Sequence, residues 1–399
     1  MEADFKFIHC ADLHLGARFR RLSAYDPELG RRLAEGTFQS FHRIVNLAIA
    51  EQADFMVIAG DVFNEGTETP GTRARLVEEL ARLPMQVFMV RGNHDHVMAW
   101  DEGLPFPPNV TLMGTELEKH RLVIRGRTVE VVGCSFPELH TGENLSLKMH
   151  GSPGVFTIGL LHCTVSEVAA TMEYAPCARS DLLGRNIEYW ALGHIHLRTV
   201  LQEADPCIVY PGDIQGLSAK EVGEKGAYVV EVTGDRCRLD FRPTQEVLWK
   251  SMEVDIGGQN QNGVIEQIRV QAAPGTLVSL DLVGRGPLDR MIRADPEAFL
   301  QAAERATGCR ISINKLVTAP ALDLDRLAAG QTITGQVVRT GRELAELSGE
   351  ELLAQLIERW PLAKDHLDTL QWMARSGRLK ELLTDAEWRL LSRLTEGQA

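Results

Sequence analysis

Several features of membrane, secreted and disulfide-stabilised proteins are missing from this sequence. No apolar run approaches the ~20 residues that span a membrane. The acidic start, Met1-Glu2-Ala3-Asp4, is unlike the basic start of a signal peptide. The seven cysteines include no Cys-x-x-Cys pair, which argues against a disulfide framework and against a structural zinc site. We therefore expect a protein of the reducing cytoplasm that does not bind membranes.

Positive charge is also scarce, because the net charge is -13. This balance opposes nucleic-acid binding, since contacts with phosphates are mainly electrostatic. Two considerations weaken the objection: a metal site needs carboxylates, and bound cations supply positive charge where a phosphate docks. Charge is also uneven, and arginines outnumber the acidic residues between residues 16 and 44; those at 18–21 either contact phosphates or are simply solvated. The arginines of this stretch are Arg18, Arg20, Arg21, Arg31, Arg32 and Arg43.

The composition that remains is that of a globular protein. With 399 residues, 44% of them hydrophobic and 24% charged, the chain predicts two or three domains and a sizeable core. Apolar strands alternate with amphipathic helices up to about Val247, where this rhythm ends. We expect a first domain over residues 1–247, a smaller α/β unit over 248–324 and a helical tail over 325–399.

Potential metal ligands follow the ends of successive predicted strands. Because ligand sites of α/β sheets lie at the carboxyl ends of the strands, we expect these side chains to converge. They are Asp12, His14, Asp61, Asn93, His162, His194 and His196. A mixture of imidazole, carboxylate and amide ligands suits manganese, iron or zinc, whereas magnesium prefers oxygen ligands alone.

The pattern favours two cations that share one carboxylate. Cations about 3.5–4 Å apart need such a bridge. Asp61 suits this role, because Asp12 and His14 serve one side while Asn93 and His162 serve the other. Two such cations can hold the oxygens of a phosphate and activate a water molecule for in-line attack.

The stretch Gly92-Asn93-His94-Asp95 adds candidate catalytic groups. His94 is not needed as a ligand and is free to donate a proton to the phosphate or to the leaving oxygen, as a general acid does. Asp95 can orient the imidazole of His94. Gly92 allows the backbone to turn sharply at the end of the strand. We therefore predict that His94 and Asp95 act in catalysis.

Together these motifs resemble the metallophosphoesterase superfamily. The shared elements are Asp-x-His, Gly-Asp, Gly-Asn-His-Asp, a histidine at a strand end and Gly-His-x-His. Residues 9–16, His-Cys-Ala-Asp-Leu-His-Leu-Gly, look like the opening of the SbcD exonucleases and their YhaO-type relatives within the DNA-repair branch. Residues 210–216, followed by 223–226, are similar to the YhaO type in particular. The strong motifs cover about residues 5–245.

The resemblance implies a fold, an activity and partners. The fold would be a four-layer α/β/β/α sandwich with a small α/β capping domain over DNA and a helical C-terminal tail. The activity would be a manganese-dependent DNA exonuclease with an SMC-like ATPase as partner. By resemblance His94 is the catalytic histidine. The first metal is held by Asp12, His14, Asp61 and His196, and the second by Asp61, Asn93, His162 and His194.

Two departures from the family bear on these expectations. Asn64 stands where the family often has a histidine, so the family's phosphate contact from this position cannot be carried over to this chain. Relatives of the SbcD type dimerise through a helix after the position of Asp95. Here the chain instead runs through Trp100 and Pro105-Phe106-Pro107-Pro108. The oligomeric state is therefore open, with a homodimer as one possibility.

Other functions use the same ligands. A small-molecule phosphodiesterase or a protein phosphatase would need the same two metals, whereas a non-catalytic scaffold would be expected to have lost ligands. The extra unit and the tail favour the nuclease, since a small substrate needs no cap.

In the tail, Trp388 faces away from the leucine stripe if the helix from Arg378 runs unbroken, and is then a candidate anchor for the ATPase. Alternatively, residues 384–387 form a capping box that starts a new helix.

Overall fold

The structure is a computed structural model that describes residues 4–17, 27–64, 68–96, 105–166, 174–360 and 366–395. Arg18, Arg20 and Arg21 lie outside these ranges. The chain divides into two compact units. The first takes the chain up to Met252 together with Ala272–Ser279 and Gly308–Ser312. The second takes Glu253–Gln271, Leu280–Thr307 and the chain from Ile313 onward. The expected boundaries at 247/248 and 324/325 stay predictions.

Two six-stranded mixed sheets form the first unit. The first sheet has the order β14-β13-β1-β2-β3-β4, in which β1 to β4 are parallel and β13 and β14 are antiparallel. Its strands are β1 (Phe5–Cys10), β2 (Phe55–Ala59), β3 (Gln86–Val90), β4 (Val110–Leu112), β13 (Gly226–Thr233) and β14 (Arg236–Pro243). The second sheet has the order β11-β12-β10-β7-β6-β5, with antiparallel strands at both edges. Its strands are β5 (Glu118–Ile124), β6 (Arg127–Gly133), β7 (Phe156–His162), β10 (Tyr189–Gly193), β11 (Thr199–Gln202) and β12 (Cys207–Tyr210).

The two sheets pack face to face through an aromatic core. Along β1 the side chains alternate between the two faces of the sheet, so that Phe5 and Phe7 face the second sheet. Phe5 meets Phe156 edge-on with ring centroids 5.3 Å apart, and Phe7 meets Tyr189 edge-on at 5.1 Å. These contacts fix the two sheets against each other and bring together the strand ends that carry the site.

Different structures cover the outer faces of the two sheets. Helices α1 (Pro27–Ala50) and α2 (Pro70–Ala81) pack their apolar faces on the first sheet. The second sheet is covered by the 3-10 turns Leu145–Lys148 and Arg179–Leu182 and by the short strands β8 (Thr164–Val165) and β9 (Pro176–Cys177). The predicted α/β fold is confirmed. Its fourth layer, in the described residues, uses 3-10 turns because residues 134–155 are rich in glycine and proline, which interrupt helices.

The chain after β14 forms a small sheet and a set of helices. Strands β15, β16 and β17 form a three-stranded sheet in that order. The elements are β15 (Trp249–Asp255), α3 (Gln261–Gln271), β16 (Leu277–Arg285), α4 (Leu288–Ala294), α5 (Pro296–Thr307) and β17 (Arg310–Ala319). The tail then forms α6 (Leu324–Ala329), α7 (Ile333–Ala345), α8 (Gly349–Arg359), α9 (Leu367–Arg375) and α10 (Arg378–Thr395). Among the described helices, none has both the length and the apolar character needed to cross a membrane.

Helix α10 decides between the two expectations for the tail. It is continuous from Arg378 to Thr395, and the Thr384 hydroxyl donates to the carbonyl of Lys380 within the helix. The alternative of a new helix at residues 384–387 is therefore wrong. Trp388, however, is half-buried, and the Arg285 guanidinium lies over its ring at 4.3 Å. The more exposed indoles are those of Trp360 and Trp372.

Candidate metal centre

All seven predicted ligands lie at the carboxyl ends of neighbouring parallel strands. Strands β1, β2 and β3 of the first sheet lead into four of them, and β7 and β10 of the second sheet lead into the other three. The first five are almost fully buried, whereas His194 and His196 are partly exposed. In chain order the ligands are Asp12, His14, Asp61, Asn93, His162, His194 and His196. The two sheets thus meet in one polar site.

The backbone at this site is strained. Asp12, His14, Asp61 and His194 have φ values of 51°, 43°, 50° and 99°, in the left-handed region that non-glycine residues rarely adopt. Such strain is characteristic of functional sites, because surrounding packing must hold it in place. Gly92 is required for space rather than for the expected turn, since a Cβ atom at this position would overlap Oδ1 of Asp61.

Three predicted ligands form a first group, Asp12, His14 and His196, whose potential ligand atoms all lie within 4.8 Å of one another. Nε2 of His14 is 3.0 Å from Nε2 of His196. The Nδ1 atoms face oxygens: His14 Nδ1 lies 2.5 Å from the Asn64 amide oxygen, and His196 Nδ1 lies 3.0 Å from Glu221. In the neutral tautomers that donate these bonds, both Nε2 lone pairs point at each other. Such an arrangement fits a cation between them.

A second group contains Asp61, His162 and His194, again with ligand atoms within 4.8 Å of one another. The Asn93 amide oxygen lies 3.0 Å from His162 Nε2 and 3.1 Å from His194 Nδ1. Asp61 Oδ2 is 3.4 Å from His162 Nε2 and 3.9 Å from His14 Nε2. Asp61 therefore lies between the two groups, where a bridging carboxylate is expected.

The electrostatics of the site divide the histidines into two kinds. Burial opposes a charge on His162, but the adjacent Asp61 carboxylate raises its pKa to about 9. Burial likewise opposes a charge on His196, yet its hydrogen bond to Glu221 and the nearby Asp12 raise its pKa to about 9. Burial and the neighbouring imidazoles lower the pKa of His14 to about 3. Protons on two imidazoles therefore neutralise the carboxylates that a divalent cation would neutralise instead.

The predicted catalytic pair is separated by the structure. The backbone N–H of His94 donates to Asp61, and the ring centroids of His94 and His14 are 5.2 Å apart. The side chain of His94 is partly exposed, and within the described parts of the chain its ring nitrogens make no hydrogen bond. Asp95 does not serve as the expected partner of the His94 imidazole. Its buried carboxylate instead accepts from the backbone N–H groups of Val62 and Gly92, because these turn donors need an acceptor.

The structure also gives positions for Asn64 and His9, which lie near ligands in the sequence. Asn64 contacts His14 through its amide, so it supports a ligand where the family often has a histidine. His9 lies in the core between the sheets, where Nδ1 is 2.9 Å from the Tyr189 hydroxyl. Sequence reasoning missed Glu221. The only signal near it was the family-like stretch at residues 223–226.

Comparison with known proteins agrees with this geometry. Residues 5–198 match the calcineurin-like phosphoesterase family. The chain is 33% identical over 262 residues to the uncharacterized metallophosphoesterase YhaO of Bacillus subtilis. The aligned region covers 64% of each protein. It therefore spans less than two thirds of the length of that relative.

Two more distant relatives are a DNA-repair protein and a nuclease component. The DNA double-strand break repair protein Mre11 of Archaeoglobus fulgidus is 25% identical over 373 residues, covering 87% of this chain and 76% of that protein. The SbcD component of the nuclease SbcCD of Rhodobacter capsulatus is 25% identical over 284 residues, covering 57% and 67% respectively. The predicted resemblance to the SbcD and YhaO branch is thereby confirmed.

Proposed function

Because residues 5–198 form a calcineurin-like phosphoesterase domain, we propose that this chain is a metal-dependent DNA exonuclease of DNA repair. The observation that carries the proposal is the convergence of two ligand groups on Asp61, with the free imidazole of His94 beside them. Two groups joined by one carboxylate suit the hydrolysis of phosphodiesters. We expect manganese as the native metal and, from cysteines that form no disulfide in the described structure, the cytoplasm as the location.

In this proposal each residue has a defined task. Asp12, His14, Asp61 and His196 would hold one cation, and Asp61, Asn93, His162 and His194 the other. When bound, the cations supply positive charge against the phosphate and lower the pKa of a water molecule. The imidazole of His94 has no competing partner in the described structure and can donate a proton to the leaving oxygen. Asp95 ties the loops after β2 and β3 together and so holds His94 and Asn93 beside Asp61.

A groove in the second unit supports a polyanionic substrate. Its volume is about 1190 Å³, and its charged lining contains four arginines and one aspartate. The arginines are Arg285, Arg293, Arg389 and Arg393. Trp388 also lines the groove, with the Arg285 guanidinium 4.3 Å over its ring. Arg293 and Arg389 form ion pairs with Asp289 and Asp385, and the groove still keeps a net positive charge. In a chain of net charge -13, this positive charge favours a nucleic acid over a small substrate.

An apolar groove in the tail supports a protein partner. Its volume is about 320 Å³, it lies among α8, α9 and α10, and leucines with Trp360 line it. Trp372 is also half-exposed on α9. We propose that this part of the tail binds an SMC-like ATPase, and that Trp360 and Trp372 serve as anchors rather than the expected Trp388, because their indoles are half-exposed whereas that of Trp388 is more buried.

One assay tests the proposed function against its alternative, a small-molecule phosphodiesterase or a protein phosphatase. The purified full chain is supplied with Mn²⁺ and offered linear duplex DNA, closed circular DNA, single-stranded DNA, cyclic nucleotides and p-nitrophenyl phosphate. We expect cleavage of linear DNA from its ends and none of the closed circle. Turnover of the small esters alone would replace the nuclease by the alternative.

A further inference from the structure

His196 differs from the other ligands in what holds its imidazole. Its Nδ1 donates to Oε1 of Glu221 at 3.0 Å, on the side of the ring that faces away from His14. The second oxygen of Glu221 accepts from the backbone N–H of Leu217. Both carboxylate oxygens of Glu221 are therefore engaged, and the carboxylate has a fixed direction.

The backbone of His196 is held by the same segment of the chain. Its carbonyl oxygen accepts from Lys225 Nζ at 3.0 Å and from the Asp213 backbone N–H at 3.3 Å. Lys225 also lies 2.5 Å from the Asp213 carboxylate, and both side chains are buried. Asp213 and Lys225 thus hold His196 at its carbonyl, and Glu221 holds it at its ring.

The lysine makes the neighbouring acidic cluster a poor site for a further cation. His196, Asp213 and Glu221 have potential ligand atoms within 4.8 Å of one another, as a cation site would. The ammonium group of Lys225 already supplies a positive charge to Asp213. The cluster therefore supports His196 from behind.

We propose that Glu221 is a positioning residue for the first cation. By accepting from Nδ1 it selects the tautomer of His196 whose Nε2 lone pair points toward His14. A carboxylate partner also increases the basicity of the imidazole as a ligand. The other supports are weaker acceptors, since Nδ1 of His14 faces the neutral amide of Asn64 and Nδ1 of His162 faces the carbonyl of Ala59. The affinity of the first cation therefore depends on Glu221, while that of the second does not.

This inference rests on the proposed two-cation site, but binding alone tests it. Isothermal titration calorimetry with Mn²⁺ is carried out on the full chain and on Glu221→Gln and Glu221→Ala. The wild-type chain should bind two ions. In Glu221→Ala one binding event should weaken by about 10- to 100-fold. Glu221→Gln should weaken it less, because the amide oxygen still accepts from Nδ1. The other binding event should keep its affinity in both variants.

A neighbouring glutamate provides the matched control. Glu224 has a half-exposed side chain 4.0 Å from Arg198, and Glu224→Gln should leave both binding events unchanged. Circular dichroism melting in EDTA shows that each variant is folded. Unchanged binding in both Glu221 variants, or equal weakening of both events, would overturn the inference. A wild-type chain without two bound ions would overturn the proposed function as well. If the wild-type chain binds two ions but does not cleave DNA, the two-cation site stands and only DNA as the substrate is contradicted.

Discussion

At the scale of single residues, Asp61 is the carboxylate that, among the described residues, lies between the two ligand groups. Replacing Asp61 with Asn removes the negative charge that both cations would share, so we expect both to be weakened and phosphodiester hydrolysis to be abolished. Metal content after gel filtration, measured by mass spectrometry, checks this. Asp240→Asn, on the surface of β14, is the control and should keep two ions. Two tightly bound ions in Asp61→Asn would show that the bridge lies elsewhere.

His94 allows binding and chemistry to be separated. Its ring belongs to neither ligand group, so His94→Gln should keep both ions while turnover falls by roughly 100-fold or more. Calorimetry with Mn²⁺ and single-turnover kinetics on one substrate measure the two effects. His150→Gln changes an exposed histidine and should alter neither. Loss of an ion together with activity would make His94 a ligand.

The protonation of the histidines leads to a prediction about pH. The pKa of His162 and that of His196 are each raised to about 9 by neighbouring carboxylates, so both rings carry protons at pH 7. A cation needs the unprotonated nitrogens, and binding must release these protons. Affinity for Mn²⁺ should therefore rise between pH 7 and 8.5, by up to about tenfold per pH unit for each proton released. Calorimetry in two buffers of different ionisation enthalpy counts the protons, and a count of zero would contradict this assignment.

At the scale of elements, the strand ends were predictable and the partners of the ligands were not. A continuous apolar run such as Phe55–Ala59 is typical of a buried parallel strand, and the polar residue after it must lie at the edge of the sheet. Glu221 lies 25 residues after His196 in an irregular segment, and no periodic pattern joins the two. The prediction that Asp95 orients His94 was wrong. The Asp95 carboxylate accepts from two backbone N–H groups, and every residue type except proline carries such a group, so the sequence could not indicate these partners.

Helix α10 carries a prediction of its own. Arg389 and Arg393 are one turn apart and both line the groove with Trp388. The double variant Arg389→Ala/Arg393→Ala should weaken binding to duplex DNA. It should also reduce the slope of log affinity against log salt by roughly one for each lost phosphate contact. Fluorescence anisotropy over a salt series measures this slope. Arg269→Ala/Arg305→Ala removes two exposed arginines outside the groove as the control, and equal effects of the two double variants would remove the groove from the DNA-binding site.

At the scale of the whole molecule, the order of the chain limits where it can be divided. The first unit includes residues 272–279 and 308–312, so a chain ending at residue 247 would lose part of that unit. Trp249 and Leu277 are buried with Leu33 and Val247 in one cluster, and the shorter chain would leave Leu33 exposed. A boundary at 247, however natural in the sequence, is therefore a poor place to separate catalysis from DNA binding.

A chain ending at Asp323 avoids this problem, because it keeps every residue of the first unit and stops before α6. It removes Arg389, Arg393 and the apolar groove of the tail. We expect it to bind two Mn²⁺ ions and to hydrolyse bis-p-nitrophenyl phosphate as the full chain does, because every ligand precedes residue 197. Cleavage of duplex DNA and capture of the proposed SMC-like ATPase should both fall. A rise in melting temperature with Mn²⁺ equal to that of the full chain shows that the site is intact. If DNA cleavage and ATPase capture both persist in that folded chain, the tail is not the surface that either partner uses.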